Sequence, residues 1–525
     1  MPWFRDLPSP LGPRLRTLVV LVVLGLVFAL VAEIPLGVVG GMPTGLTLGG
    51  RSTVAGSVPP PGAPGESELS AASKHKGGKK GKHKGGKKGK HKGGKKGKRA
   101  TSPDRTAESR KKPRQTPTPS PTPPPTPTPT PSPGPTYYVD GIDGDDANPG
   151  TSAAEAWRTL DKASQAPLAP GDQLLFRRGG SWTGSLKLSR SGTSELPIVI
   201  GAYGSGDLPR IRDGSSCVVM SGSYLVLREI HADGCSWAGI QISGSANQVE
   251  QSLITGNVAG VQVRAGAADN RILRNVLRDN NRMSVLTQSP TDDDSGAFGV
   301  LLQGDGTVVA YNTISGSDAF SYDYGHDGAA VEVYGGQRNH IHHNLAIDND
   351  AFSELGNARS SDNTFAYNVV RSSLPAAVFL VTRGANSGYG PVLRTTLYNN
   401  SVVLTGASSQ GFVCHAGCGP DILTMRNNII QAVSKVGYAD APFDEDYNLY
   451  FGGAREFTMG NHSLAGDPLF VDAAGGDLRL RSSSPAIDRG VDVGYGRDFD
   501  GEPVPAPGGG DHPPVPDLGA YERQP

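Results

Sequence analysis

The chain has 525 residues and balances 50 Lys and Arg against 50 Asp and Glu, yet residues 1–135 hold 23 basic and 6 acidic side chains and the remainder 27 and 44. The C-terminal part is therefore acidic, which argues against nucleic-acid binding there and favours carboxylate-bound cations over a basic anion-binding surface. Only Lys162, Lys187 and Lys435 are lysines beyond residue 135.

Residues 1–40 contain the uninterrupted apolar run Thr17 to Ala32, preceded by Arg14 and Arg16. Such a run reads as a secretory signal peptide or a signal anchor with its N-terminus inside, so an extracellular or cell-surface location is expected. Cleavage and retention as a single span both stay open, because no small-x-small pattern follows Ala32 and the segment continues through the apolar Ile34 to Gly40. A linker over 41–73 leads to residues 74–98, where the unit KHKGGKKG occurs three times at period eight. Glycine-spaced lysines neither bury surface nor hold a helix, so this segment is predicted to be disordered and solvated. Its partner on an exported chain would be an anionic cell-wall polymer or a membrane surface, with a plain spacer as the alternative. Residues 99–136 are Pro- and Thr-rich, a semi-rigid spacer reaching roughly 3 Å per residue.

From 137 to 525 the chain repeats itself. Asn275, Asn312, Asn344, Asn368, Asn400 and Asn428 each have an apolar residue three before and another two after, as in Ile341-His-His-Asn344-Leu-Ala346. Arg228 and Ser252 hold the same place in two earlier repeats that lack the Asn. Short Val, Ile and Leu strands of this kind bury their faces only by stacking coil on coil, so the fold class is all-β, a solenoid of parallel strands. Inward asparagines at roughly 4.8 Å between coils would hydrogen-bond up and down the stack. Four cysteines on an exported chain point to two disulfides, Cys217 with Cys235 and Cys414 with Cys418, with zinc on Cys414, His415 and Cys418 as the minority reading.

The opening motifs Tyr137-Tyr-Val-Asp140, Asn148-Pro-Gly-Thr151 and Trp157-Arg-Thr-Leu160, with the tail motifs Gly466-Asp-Pro-Leu-Phe470, Ser484-Pro-Ala-Ile-Asp488 and Asp517-Leu-Gly-Ala-Tyr-Glu522, resemble the bacterial right-handed parallel β-helix proteins of the pectate-lyase-like superfamily. The resemblance implies an N-terminal cap and a C-terminal closing module over 460–525. It leaves activity open, since the superfamily includes lyases, hydrolases, epimerases and non-catalytic surface proteins.

Two adjacent coils carry insertions in the same turn, Met283 to Ala297 with Asp292, Asp293 and Asp294, and Ser317 to Asp327, reading SDAFSYDYGHD. Counting ten residues after the central position in uninserted coils gives Gln262 and Glu354, and matching the strand Ala330-Val-Glu-Val-Tyr334 puts Glu332 at the same outward position, so Glu332 and Glu354 are expected to stack. Stacked carboxylates repel, and either a proton or a cation must relieve them. The predicted chemistry is calcium-assisted β-elimination on a uronate-containing polysaccharide, with Asp323, Asp348 and Asp350 as Ca²⁺ ligands and His326 or Arg383 as base. Arg359 would bind the uronate carboxylate, and Tyr322, Tyr324 and Tyr389 would stack on sugar. A hydrolase would instead use Glu332 with Glu354 or Asp327. The third alternative is a non-catalytic glycan-binding surface rod. In each case the folded part is expected to act as a monomer. His340, His342 and His343 are expected on an exposed strand face.

Overall fold

The structure, a computed structural model, describes residues 134–288, 291–507 and 514–524. The apolar run, the lysine repeats and the proline spacer up to residue 133 lie outside these residues, whereas Thr136 already opens the first strand, Thr136–Val139. No helix among the described residues is long and apolar enough to cross a membrane.

Each coil of the solenoid contributes three short strands, and every strand pairs in parallel with its counterparts one coil before and after. The first set forms a 12-stranded sheet that includes Arg271–Leu273, Val308–Ala310 and His340–His342. The second and third sets together make a 19-stranded sheet, because Arg210–Met220 and Ile429–Ala439 each run through both. The result is a right-handed parallel β-helix. The corner between the first and second strands follows from local chemistry. Arg274, Tyr311, His343 and Tyr367 adopt φ of 55°, 58°, 53° and 51°. A single left-handed residue turns the chain sharply, and the Asn after it then points inward.

Those asparagines form the expected ladder. Asn312 donates from its backbone N and its Nδ2 to Asn344 Oδ1 at 3.1 and 3.0 Å, and Nδ2 also reaches the Ile272 carbonyl at 2.8 Å. The pattern repeats from Asn344 to Asn368, Asn400 and Asn428, and it runs on to Asn448, which the repeat reading missed. One assignment needs correction. Ile230, not Arg228, lies beside Ser252, because Leu253 pairs with His231 and the Ile230 N–H donates to Ser252 Oγ. An apolar side chain fills the ladder position there, so the Asn-based count slipped by two. Ile272, Val300, Val331, Ile341, Phe365 and Leu397, all fully buried, fill the interior around the ladder.

Both disulfides form, with Cα separations of 5.7 Å for Cys217–Cys235 and 5.4 Å for Cys414–Cys418. Cys414 and Cys418 therefore have no thiolate to offer zinc. At the N-terminal end Trp157, Leu160, Ala163 and Trp182 cover the first coil. The tail behaves differently from a cap stacked on the last coil. After Leu464–Ala465 it turns back along the flank, where Phe470, Leu478, Leu480 and Leu518 pack on Val369, Val403, Ile429 and Leu449. It also covers the histidines. His340 Nε2 meets the Tyr495 hydroxyl at 2.5 Å, and His343 Nε2 meets the Asp498 carbonyl at 3.0 Å. The expected exposed face is thus a buried contact, and burial lowers the pKa of His340 to about 4 and of His342 to about 3.

Candidate functional site

The outer face of the third strand set positions the site. Gln241, Gln262, Leu301, Glu332, Glu354 and Val381 are consecutive partners in this parallel register, one per coil. Alternation along a strand sends Glu332 outward while its neighbours Val331 and Val333 fill the core. Glu332 and Glu354 thus hold adjacent places about 4.8 Å apart along the stack.

The two insertions wall this face. Met283–Val285 pairs with Ser295–Gly296, and Ala319–Ser321 pairs with Gly325–Asp327 as a hairpin. They are stapled to each other reciprocally. The Asp323 carboxylate accepts the N–H groups of Thr291, Asp293 and Asp294 at 3.0, 2.9 and 3.1 Å. The Asp294 carboxylate accepts the N–H groups of Thr287 and Tyr322 and the Ser321 hydroxyl at 2.7, 2.7 and 2.8 Å. The bond from the Asp294 N–H leads in holding Asp323 below the usual carboxylate range. Asp294 is held low as well, its hydrogen bonds outweighing burial.

Between the insertions and the sheet lies a groove of about 340 Å³. Asp292, Asp293, Asp294, Asp327, Glu332 and Glu354 line it, with Arg383 as the one basic side chain there among the described residues. Glu354, 3% exposed, pairs with the Arg383 guanidinium, itself 2% exposed and 5.7 Å from the Tyr389 ring centre. Glu332 has no such partner, and its Oε2 is buried without a hydrogen bond. Burial, reinforced by the charges of Glu354 and Asp327, pushes its pKa well up against the opposing pull of Arg383. Burial likewise raises Asp327 to about 7, with Glu354 adding to the effect. Asp350, behind the groove, is raised to about 7 by burial and then by Asp318 and Asp327. Glu332 therefore faces the Glu354–Arg383 ion pair with its hold on a proton strengthened.

Of the residues expected here, Glu332, Glu354, Asp327, Tyr324, Arg383 and Tyr389 line the groove. The rest do not. His326 alternates away from Asp327 on the hairpin, exposed, and bonds Asp318 at 2.7 Å. Arg359 pairs with Asp305 at 2.7 Å and with the Gly335 carbonyl, so its charge is already engaged. Tyr322 stands at the hairpin tip against Phe320. Asp323, Asp348 and Asp350 do not converge. Asp348, left-handed at φ 49°, accepts the Ser373 N–H at 2.8 Å on another flank of the coil. Among the described residues, the acidic trio with oxygens within 4.8 Å of one another is Asp293, Asp294 and Asp323. Two of those carboxylates are already saturated by N–H and O–H donors, so the trio serves as a staple and does not fit a calcium site. Trp237, Phe298, Leu301, Gln303 and Tyr334 also line the groove. The count that found Gln262 misses Leu301, because the Met283 to Ala297 insertion intervenes, and Trp237 precedes its strand and carries no periodic signal.

A family profile described as a right handed beta helix region matches residues 216–402. Among solved structures, a pectate lyase, Pel9A, superposes with a TM-score of 0.53 at 17% identity, covering 75% of this chain and 97% of that one. A lacto-N-biosidase from Eubacterium ramulus gives a TM-score of 0.37 at 17% identity over 64% of this chain and 67% of its own. A curated lacto-N-biosidase from Bifidobacterium longum subsp. longum is 38% identical over 76 residues, 14% of this chain. That match spans only 5% of the relative's length. By its sheets, its inward asparagine ladder and the matching family profile, the described chain is a right-handed parallel β-helix, with the fold seen in pectate lyase Pel9A.

Proposed function

We propose that this chain is a carbohydrate-active enzyme that cleaves an extracellular polysaccharide as a glycoside hydrolase, with Glu354 as nucleophile and Glu332 as general acid and base. The observation that carries the reading is the contrast between stacked neighbours, Glu354 paired with Arg383 and Glu332 with a buried, unpartnered Oε2. Environments that separate two carboxylates in this way divide the roles of acid and anion between them.

Glu332 passes its proton to the glycosidic oxygen as the Glu354 carboxylate bonds to the anomeric carbon and the leaving sugar departs. Glu332, now ionised, takes a proton from water, whose oxygen displaces Glu354 and returns it as a carboxylate. Adjacent coils about 4.8 Å apart favour the closer carboxyl spacing of about 5–5.5 Å, which gives retention of configuration. Arg383 holds Glu354 and stabilises it as it leaves.

The calcium-assisted lyase expectation has less support. Its three proposed ligands are scattered, no lysine among the described residues lines the groove, and Arg383 is already paired. Export rests on the apolar run and the stalk sequence, with the lysine repeats set against an anionic wall polymer or lipid head groups. The local likeness to a lacto-N-biosidase agrees with glycan cleavage.

Incubating the full chain with a polysaccharide panel tests the reaction. New reducing ends without the absorbance of unsaturated uronates, unaffected by chelator, are expected. Unsaturated products that require calcium would restore the lyase.

A further inference from the structure

We infer that the groove takes an uncharged glycan, which extends from the glutamate pair toward the N-terminal coils and stacks on Trp237. This rests on the hydrolase reading for which bond is cut, but not for what binds. Six carboxylates line the groove against one guanidinium already paired with Glu354. A uronate there would add negative charge with no free cation among the described residues to meet it, at a cost that a partly closed, low-dielectric site increases.

The direction follows from the two ends of the outward column. Toward the C-terminus the column continues as Val381 and Val413, packed under Tyr324 and Tyr438, which leaves an apolar, covered surface. Toward the N-terminus it becomes Leu301, Gln262 and Gln241, neutral and polar. There the Trp237 indole N–H donates to Gln262 Oε1 at 2.8 Å, and Gln241 Nε2 donates to the same oxygen at 2.9 Å. Gln262 Nε2 passes the chain to Gln303 Oε1 at 2.9 Å, leaving the Gln303 amide nitrogen to donate into the groove. Phe298 and Leu301 back the half-buried indole. An aromatic plate fixed by amides that carry no charge matches the apolar face and hydroxyl edge of a neutral pyranose.

The test uses full-length Glu332→Gln, which binds without turnover, titrated calorimetrically with neutral oligosaccharides (glucan, xylan and N-acetylhexosamine series) and with galacturonate and alginate oligomers of equal length. A neutral series is expected to bind and the uronates not to bind, at low and high salt alike. Adding Trp237→Ala should weaken binding about tenfold, and Trp237→Phe should recover part of the loss, with thermal midpoints unchanged. Uronate binding, neutral binding indifferent to Trp237→Ala, or no binding across the neutral set would overturn the inference. Trp237-dependent neutral binding with no cleavage by the wild-type chain would leave it standing and sink the hydrolase reading instead.

Discussion

In the interior Asn344, Asn368 and Asn400 stack with each amide answered, Asn368 accepting from Asn344 and donating to Asn400 and the Ile341 carbonyl. On the outer face of the third strand set Glu332 and Glu354 stack at the same repeat distance, but one carboxylate is paired with Arg383 and the other lacks a partner. An amide is both donor and acceptor, so identical asparagines satisfy one another indefinitely along the stack. A carboxylate only accepts, so identical glutamates cannot. The first stack holds the coils together; the second stores a proton and an unsatisfied oxygen at a groove. A repeat protein can thus make its site by putting the wrong side chain, for stability, at one outward position.

The sharpest break of this comparison is to neutralise the outer stack. Glu332→Gln or Glu354→Gln should lower kcat by roughly 10²–10⁴-fold, the range for loss of a positioned proton-transfer group. Glu332→Gln should also hold or raise the thermal midpoint, because burial beside Glu354 and Asp327 disfavours an ionised carboxylate there and an amide cannot ionise. A fall in midpoint equal to that of an interior variant would erase the distinction between the stacks.

Breaking the inner stack should do the reverse. Asn368→Ala leaves the buried Asn344 N–H and the Ile341 carbonyl without their amide partner, at about 1–3 kcal/mol for such a loss. Urea unfolding should show that destabilisation while KM and kcat at low denaturant stay near wild type. Activity lost in step with stability would mean that the ladder also tunes the groove.

The smallest effect is a pH dependence. Asp327 and Asp350 have folded pKa values raised from 3.8 to about 7, chiefly by burial. The folded state therefore holds protons that the unfolded chain gives up, and the stability these groups contribute is full below about pH 4 and lost as pH rises toward about 7. Asp350→Asn should raise the thermal midpoint at about pH 8 relative to wild type and leave it unchanged near pH 4. Activity should fall as pH rises through about 7 in wild type, and that limb should move in Asp327→Asn. A limb that stays in place would show that Asp327 does not set it.

Much of this was legible in the chain. Period and composition gave the solenoid, because apolar pairs flanking Asn at coil spacing have few other ways to be buried. Matching strands across the insertion placed Glu332 beside Glu354, since parallel register carries sequence position directly into space. Where that periodicity lapses the reading failed. Ile230 sits in a coil with no Asn to mark it, and the insertions fold back on themselves, turning His326 out and Asp327 in.

The sequence alone thus determined the β-helix, the disulfide partners and the stacking of the two glutamates, all consequences of local period and short-range order. Only the tertiary structure decided that Asp323 staples a loop rather than gathering with Asp348 and Asp350, that Arg359 is spent on Asp305, that the tail covers the histidines, and that Arg383 turns to Glu354. Each depends on which way a side chain leaves an irregular turn or on a neighbour far along the chain, and in a β-helix the repeat register reaches neither.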